Sequence, residues 1–186
     1  MLRAKDIPNI ISIIRILLVA PVIYCFYTGD FLIALLLFFV AGASDGLDGF
    51  LAKRYGWTSH LGSILDPIAD KLLLVCSYGM LAWLGHIPMW LVVAVIARDI
   101  IIVGGSFSYY LLFGRYEMEP SWISKLNTFS QIVMVLMVVF SLSILEISST
   151  FITIFVYFVF LTTVLSGLDY IITWGVKAWQ NRSNRY

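Results

Sequence analysis

The sequence predicts an all-α membrane protein, and three observations lead to that prediction. Of its 186 residues, 61% are hydrophobic and only 12% are charged, whereas soluble globular domains carry roughly a quarter charged residues. Apolar stretches of about 20 residues, the length a helix needs to cross a bilayer, recur along the whole chain. The short connections between these stretches contain no Lys or Arg. We therefore expect a single membrane domain over residues 1–186.

Six transmembrane helices are predicted, and the last is long enough to emerge from the bilayer. Their expected ranges are Ile10–Thr28, Phe31–Phe50, Pro67–Leu84, Pro88–Phe113, Trp122–Leu145 and Ser148–Trp179. A short interfacial segment, Lys5–Asn9, is expected before the first span. Longer polar loops are predicted at Leu51–Asp66 and Gly114–Ser121. Short and long connections thus alternate along the chain.

The basic residues predict the orientation, because loops rich in Lys and Arg stay on the cytoplasmic side of a membrane. Nine basic residues lie at the termini, in the long loops or at the span ends next to them: Arg3, Lys5, Lys53, Arg54, Arg115, Lys125, Lys177, Arg182 and Arg185. Both termini and both long loops are therefore predicted to be cytoplasmic. We expect a multi-pass protein of a bacterial inner membrane.

Charge and cysteine usage exclude several other classes of protein. A formal net charge of +1 does not describe a nucleic-acid-binding protein. Cys25 and Cys76 lie within apolar stretches, are too few for a disulfide framework and lack the spacing of a metal site. We interpret both as small buried apolar residues.

Four aspartates stand where the second and third spans meet the first long loop. Asp45 and Asp48 are three residues apart and Asp66 and Asp70 are four apart, so each pair shares one helix face. We expect the loop to bring the pairs together at the cytoplasmic end of these spans. Converging carboxylates repel one another, and a bound divalent cation relieves that repulsion. Oxygen ligands without neighbouring Cys or His favour magnesium or manganese over zinc or copper.

Other interpretations of these acids are less well supported. Ordinary solvated loop acids need no nearby glycines, yet Gly46, Gly49 and Gly62 stand where a ligand could approach the backbone closely. A transporter whose intramembrane acids conduct ions is a remote alternative, because the acids cluster at one membrane edge and no inverted repeat is visible. A non-catalytic scaffold is a third interpretation, and it is disfavoured because the set of four aspartates is complete.

The segment around the aspartates resembles the signature of the CDP-alcohol phosphotransferase family. That signature has an Asp pair followed by Gly and Ala-Arg, then Gly and a second Asp pair four apart. The matching positions are Asp45, Asp48, Gly49, Ala52, Gly62, Asp66 and Asp70. Lys53 replaces the usual Arg and Arg54 follows it. Lys can still meet a phosphate, although it lacks the bidentate fork of Arg.

The resemblance implies a phosphatidyl transfer from CDP-diacylglycerol to a lipid-pathway alcohol, with release of CMP. Two magnesium or manganese ions would be held by the four aspartates, of which Asp70 would also be the general base. A homodimer surrounded by membrane lipids is implied as well. The residues implied to bind CDP-diacylglycerol are Asp48, Gly49, Ala52, Lys53 and Gly62.

Other segments resemble the family branch that makes phosphatidylglycerophosphate or cardiolipin. The resemblance extends over Asp6–Asn9 with Arg15, Ile87–Asp99 and Ile123–Gln131. Within that branch, the pair Arg98-Asp99 and the run Lys125-Leu126-Asn127 are similar to the eukaryotic-type cardiolipin synthases.

Phosphatidylglycerol is therefore the expected acceptor and glycerol 3-phosphate the alternative. An additional Lys would favour binding of the dianionic head of glycerol 3-phosphate, whereas the neutral Asn127 suits the monoanionic diester of phosphatidylglycerol. The candidate acceptor-binding residues are Arg15, Arg54, Arg98, Lys125 and Asn127. For Arg98 and Asp99 the alternative interpretation is a buried ion pair that only joins helices.

Overall fold

Six helices make up the described part of the chain. The computed structural model describes residues 7–55, 62–113 and 121–183, and the side chains of residues 10–44, 65, 66, 68–105 and 121–173. The helices are α1 (Ile7–Thr28), α2 (Phe31–Tyr55), α3 (Gly62–Trp83), α4 (Met89–Phe113), α5 (Trp122–Ser143) and α6 (Ser149–Ser183). The prediction of an all-α protein is confirmed over these residues.

The helices extend beyond the predicted spans at the long loop. α2 continues to Tyr55 and α3 begins at Gly62, whereas the sequence predicted a loop over Leu51–Asp66. Hydropathy reports the part of a helix that lies in lipid, and a helix of good formers such as Leu, Ala, Lys and Arg continues past that part. Of the predicted interfacial segment, Ile7–Asn9 form the first turn of α1 and are continuous with it, while Lys5 and Asp6 lie outside the described residues. Pro8 is compatible with that position because a first-turn residue needs no N–H donor.

Three helical segments among the described residues are long and apolar enough to cross a membrane. They are Ile10–Thr28, Trp122–Ser143 and Ser149–Thr173, and they coincide with the first, fifth and sixth predicted spans. A shorter apolar segment, Phe31–Ser44, lies in α2. The six-span topology as a whole stays a prediction.

Two helices end in a glycine with a left-handed backbone. Gly29 after α1 and Gly85 after α3 have φ of 82° and 81°. At Gly85, its own N–H donates to the carbonyl of Ala82 at 3.0 Å, and the N–H of His86 donates to that of Leu81 at 2.9 Å. This is the Schellman arrangement, which satisfies the last carbonyls of a helix and turns the chain.

The chain divides into two compact units. The first comprises Met1–His86 with Val135–Ile147 and the second comprises Ile87–Met134 with Ser148–Tyr186. In the first unit α1 lies against α2 and α3, and in the second α4 lies against α6. Val22, Ala34 and Leu81 belong to the core of the first unit, and Leu91 and Val159 to that of the second. Both units thus bury small and branched apolar residues between helices.

Large apolar side chains also cover the outside of the helices. Leu17 and Phe39 in the first unit and Val93, Phe151 and Ile154 in the second are all more than 60% exposed. A water-soluble surface rarely carries so many large apolar residues on every helix. Hydrocarbon is the solvent that suits this surface.

Candidate active site

Both predicted aspartate pairs lie within helices. Asp45 and Asp48 are in α2, and Asp66 and Asp70 are in the first turns of α3. The spacings of three and four residues therefore place each pair on one helix face, as the sequence argument required. The side chains of Asp45 and Asp48 lie outside the described side chains, so the convergence of all four carboxylates stays a prediction.

α1 provides a partner for each aspartate of α3. The hydroxyl of Ser12 donates a hydrogen bond to Oδ1 of Asp66, and Nη1 of Arg15 donates to Oδ1 of Asp70 at 2.5 Å. Ser12 and Arg15 are three residues apart on α1, while Asp66 and Asp70 are four apart on α3. The two helices therefore pair through matching polar positions, one turn apart on each.

The two partners of the Arg15–Asp70 ion pair differ in exposure. The Arg15 side chain is 1% exposed and that of Asp70 is 46% exposed. Arg15 thus bonds Asp70 from the interior, while nearly half of the Asp70 side chain stays exposed. Asp66 is half-buried. Burial of a guanidinium is costly, and the carboxylate that it bonds offsets part of that cost.

The two carboxylates of α3 fit the metal that the sequence predicts. Asp66 and Asp70 supply oxygen ligands alone, which suit a hard cation such as magnesium or manganese. Among the described residues there is no group of three or more His, Cys, Asp or Glu side chains that could hold a metal ion. A complete metal site would need the carboxylates of Asp45 and Asp48, which lie outside that set.

The predicted CDP-diacylglycerol residues lie on the same two helices. Gly49, Ala52 and Lys53 belong to α2 together with Arg54, and Gly62 is the first residue of α3. Their side chains lie outside the described side chains. The helical placement of Gly49, Ala52 and Lys53 follows from a continuous α2, which ends at Tyr55.

Arg98, a predicted acceptor ligand, is buried in the second unit. Its Nη1 donates to Oδ1 of Asp99 at 2.8 Å, and its Nη2 donates to the hydroxyls of Ser124 at 2.5 Å and Ser166 at 2.6 Å. Nε also donates to Ser166, at 3.1 Å. The ion pair with Asp99 that the sequence suggested is therefore formed. Through the two serines it also links α4 to α5 and α6.

Lys125 and Asn127, one and three residues after Ser124, occupy different environments. Asn127 is fully buried, and its Oδ1 accepts hydrogen bonds from the hydroxyls of Thr162 at 3.0 Å and Thr163 at 2.9 Å. Its Nδ2 group has no partner among the described residues. Lys125 is exposed, with Nζ 5.5 Å from the centroid of the Trp122 ring. Lys125 is thus accessible, whereas Asn127 offers a buried amide.

Sequence reasoning missed the hydroxyl residues that hold these charged groups. Ser12 and Ser166 received no role, although each bonds a predicted site residue. A helical spacing of polar residues on otherwise apolar helices was the available signal, since Ser124, Asn127 and Gln131 repeat every three or four residues. Such spacing indicates a polar seam between helices.

Comparison with known proteins finds a family model and relatives that agree with one another. A family model described as CDP-alcohol phosphatidyltransferase matches residues 5–174. Cardiolipin synthase (CMP-forming) of Homo sapiens is 38% identical over 146 residues, covering 69% of this chain and 48% of that protein. The chain therefore spans about half the length of that relative.

Two bacterial relatives carry the name of the alternative activity. The CDP-diacylglycerol–glycerol-3-phosphate 3-phosphatidyltransferase of Rickettsia typhi is 32% identical over 148 residues, covering 78% of each protein. A probable phosphatidylglycerophosphate synthase of Mycobacterium tuberculosis is 30% identical over 176 residues, covering 91% of this chain and 81% of that protein. The matched family region includes α2 and α3 with both aspartate pairs. The chain thus belongs to the CDP-alcohol phosphatidyltransferase family.

Proposed function

We propose that this protein is a divalent-metal-dependent enzyme that transfers a phosphatidyl group from CDP-diacylglycerol to phosphatidylglycerol, giving cardiolipin and CMP. One observation carries the proposal: the complete aspartate signature lies on two helices, and α1 holds Asp66 and Asp70 through Ser12 and Arg15. Membership in the family supports the donor substrate. The named activities of the relatives support a phosphate-bearing glycerol as the acceptor.

The four aspartates would hold two magnesium or manganese ions. When bound, these cations would balance the charge of the donor's pyrophosphate. Lys53, in the same helix as Asp45 and Asp48, would add a cation for a donor phosphate. Gly49, Ala52 and Gly62 offer small side chains, so the donor can approach the helix backbone closely.

Asp70 would accept the proton of the acceptor hydroxyl. The hydroxyl oxygen forms a bond to the phosphorus on the lipid side of the pyrophosphate, and the bond from that phosphorus to the CMP oxygen breaks. CMP leaves with the bonding electrons, and the hydroxyl proton passes to the Asp70 carboxylate. The half-exposed position of Asp70 supports this role, because a base must be accessible to the group that it deprotonates.

The charges of the candidate acceptor residues favour phosphatidylglycerol. Among the candidate acceptor residues of the second unit, Arg98 is paired with Asp99 at 2.8 Å and Asn127 is neutral, which leaves Lys125 as the cation without an ion pair among the described residues. One such cation in this unit suits a monoanionic diester better than the dianionic head of glycerol 3-phosphate. Transfer to glycerol 3-phosphate is the second candidate, because the matched bacterial relatives are named for it.

We also propose that the chain crosses the membrane six times, with both termini and the aspartates on the cytoplasmic side. The three long apolar helices and the apolar outer surface support a membrane protein. The distribution of Lys and Arg supports the orientation. A homodimer is proposed from family resemblance alone.

The direct test offers both acceptors separately to purified protein in lipid vesicles with labelled CDP-diacylglycerol. We expect CMP release and cardiolipin with phosphatidylglycerol, and little product with glycerol 3-phosphate. The reverse preference would establish the second candidate. Absence of CMP release with either acceptor would refute the proposed enzyme.

Metal dependence is tested in the same assay by chelation and by substitution. Excess EDTA should abolish transfer, and Asp66→Asn should lower the rate about a hundredfold or more, because it removes a ligand charge without changing size. Asp30→Asn is the matched control, since Asp30 is exposed and accepts a hydrogen bond from Thr28 at 2.8 Å. Full activity in EDTA would contradict the metal mechanism.

A further inference from the structure

The hydrogen bonds of Arg98 leave one of its donors unused. An arginine side chain carries five N–H groups. Nε and Nη2 donate to Ser166, Nη2 also donates to Ser124, and Nη1 donates to Asp99. One Nη1–H group is therefore left without a partner among the described residues.

The three partners of Arg98 do different things. Asp99 carries the negative charge that balances the guanidinium. Ser124 and Ser166 carry no charge, so they contribute direction alone. Ser166 accepts from two N–H groups on one edge of the guanidinium, at 3.1 and 2.6 Å, which restrains both its position and its rotation.

We propose that Ser166 is a positioning residue, which holds Arg98 so that the remaining Nη1–H group meets an anionic phosphate oxygen of the acceptor. The inference rests on the proposed function. Both candidate acceptors carry such an oxygen, in the diester of phosphatidylglycerol and in the monoester of glycerol 3-phosphate. Holding the guanidinium before the acceptor arrives removes the entropy cost of ordering a long side chain on binding.

Burial makes the serine oxygen hard to replace. Ser166 is fully buried and Arg98 is 6% exposed, so water cannot readily take over as the acceptor for two N–H groups. If the Ser166 hydroxyl is removed, the guanidinium must turn towards Ser124 or Asp99 to satisfy them. That rotation moves the Nη1–H group away from its direction in the intact protein.

The test compares Ser166→Ala and Ser166→Cys with Thr153→Ala in the purified full chain. Cys keeps the shape of the Ser side chain, with a slightly larger atom in place of the oxygen, but is a weak hydrogen-bond acceptor. Thr153 is the matched control on α6, because Thr153 is exposed and its hydroxyl donates to the carbonyl of Ser149 in its own helix, at 2.8 Å. KM and kcat are measured for CDP-diacylglycerol and for each acceptor in separate series, and Tm is measured for each variant.

Both Ser166 variants should raise the KM of the acceptor that the unaltered protein uses by about tenfold, while the KM for CDP-diacylglycerol changes by less than about twofold. Thr153→Ala should leave all constants unchanged. An unchanged acceptor KM, or Ser166→Cys with unaltered kinetics, would overturn the inference because volume and not the hydroxyl would then matter. Equal changes in both KM values with a lowered Tm, or failure of both variants to fold, would assign Ser166 to helix packing. If the unaltered protein transfers to neither acceptor, the proposed function itself fails.

Discussion

Arg15 is buried in α1, whereas the carboxylate it bonds, that of Asp70, is half-exposed. Arg15 is one of the candidate acceptor ligands that the resemblance to the phosphatidylglycerophosphate and cardiolipin branch predicts. Its hydrogen bond to Asp70 favours a different role, in which the guanidinium orients the proposed base. The two roles differ in their kinetics, since an acceptor ligand affects KM and an orienting partner of the base affects kcat.

Arg15→Met should therefore lower kcat about tenfold while both KM values stay within about twofold, because Asp70 loses the hydrogen bond that orients it. The free energy of unfolding should fall by about 1–2 kcal/mol, a modest loss because water can solvate the half-exposed carboxylate. Steady-state kinetics and thermal unfolding in detergent measure the two effects. Arg15→Lys is the control, since it keeps the charge and should recover part of kcat. A raised acceptor KM with unchanged kcat would return Arg15 to the acceptor site.

The sequence predicted those site residues whose type alone indicates their chemistry. It did not predict the residues whose role depends on a contact in the folded protein. Four aspartates at spacings of three and four in an apolar chain stand out because charge is costly there. Ser12 and Ser166 do not stand out, because serine occurs in membrane helices for many reasons. Only the packing of α1 on α3 and of α6 beside α4 shows that these two hydroxyls bond Asp66 and Arg98.

At the scale of the helices, hydropathy predicted the existence of each element better than its ends. All six predicted helices are present, yet α2 and α3 extend into the predicted loop by several residues. The ends after α1 and α3 were well placed because Gly29 and Gly85 stand there. Each adopts a left-handed φ that other residues reach only with strain.

This explanation predicts opposite results for two glycines near the same helix. Gly79 lies inside α3 and Gly85 lies just after it, and a Cβ added to either would meet nothing within 4 Å. Gly85→Ala should destabilise the protein by about 1 kcal/mol because φ is left-handed there. Gly79→Ala should be neutral or stabilising by up to about 1 kcal/mol, because Ala favours a helix. Thermal unfolding of the two variants tests this, and equal effects would show that φ is not the cause.

At the scale of the whole molecule, the described side chains of each compact unit include one buried arginine that joins its helices. Arg15 joins α1 to α3 in the first unit, and Arg98 joins α4 to α5 and α6 in the second. The surrounding surface is apolar, so these arginines meet partners inside the protein and not lipid. Burial of charge by pairing is the general condition for charged groups in membrane helices.

The proposed topology places the donor-binding helices and the aspartates on one side of the membrane, the side of the long basic loops. Single cysteines test this in a background without Cys25 and Cys76. A cysteine replacing Ser59 lies in the first predicted long loop, and one replacing the exposed Glu146 lies in a short connection. Because positive loops are retained in the cytoplasm, a membrane-impermeant maleimide should label Glu146→Cys in intact cells and Ser59→Cys only after the membrane is opened.

The labelling experiment separates orientation from the number of spans. Labelling of Ser59→Cys alone in intact cells would show the opposite orientation and would still agree with six spans. Labelling of both positions before the membrane is opened would contradict the topology itself, because an odd number of spans separates them in the proposed arrangement. Transfer activity of both variants is the control for folding. Since CMP and divalent cations are water-soluble, the side on which Ser59→Cys is labelled is also the side on which the proposed reaction exchanges them.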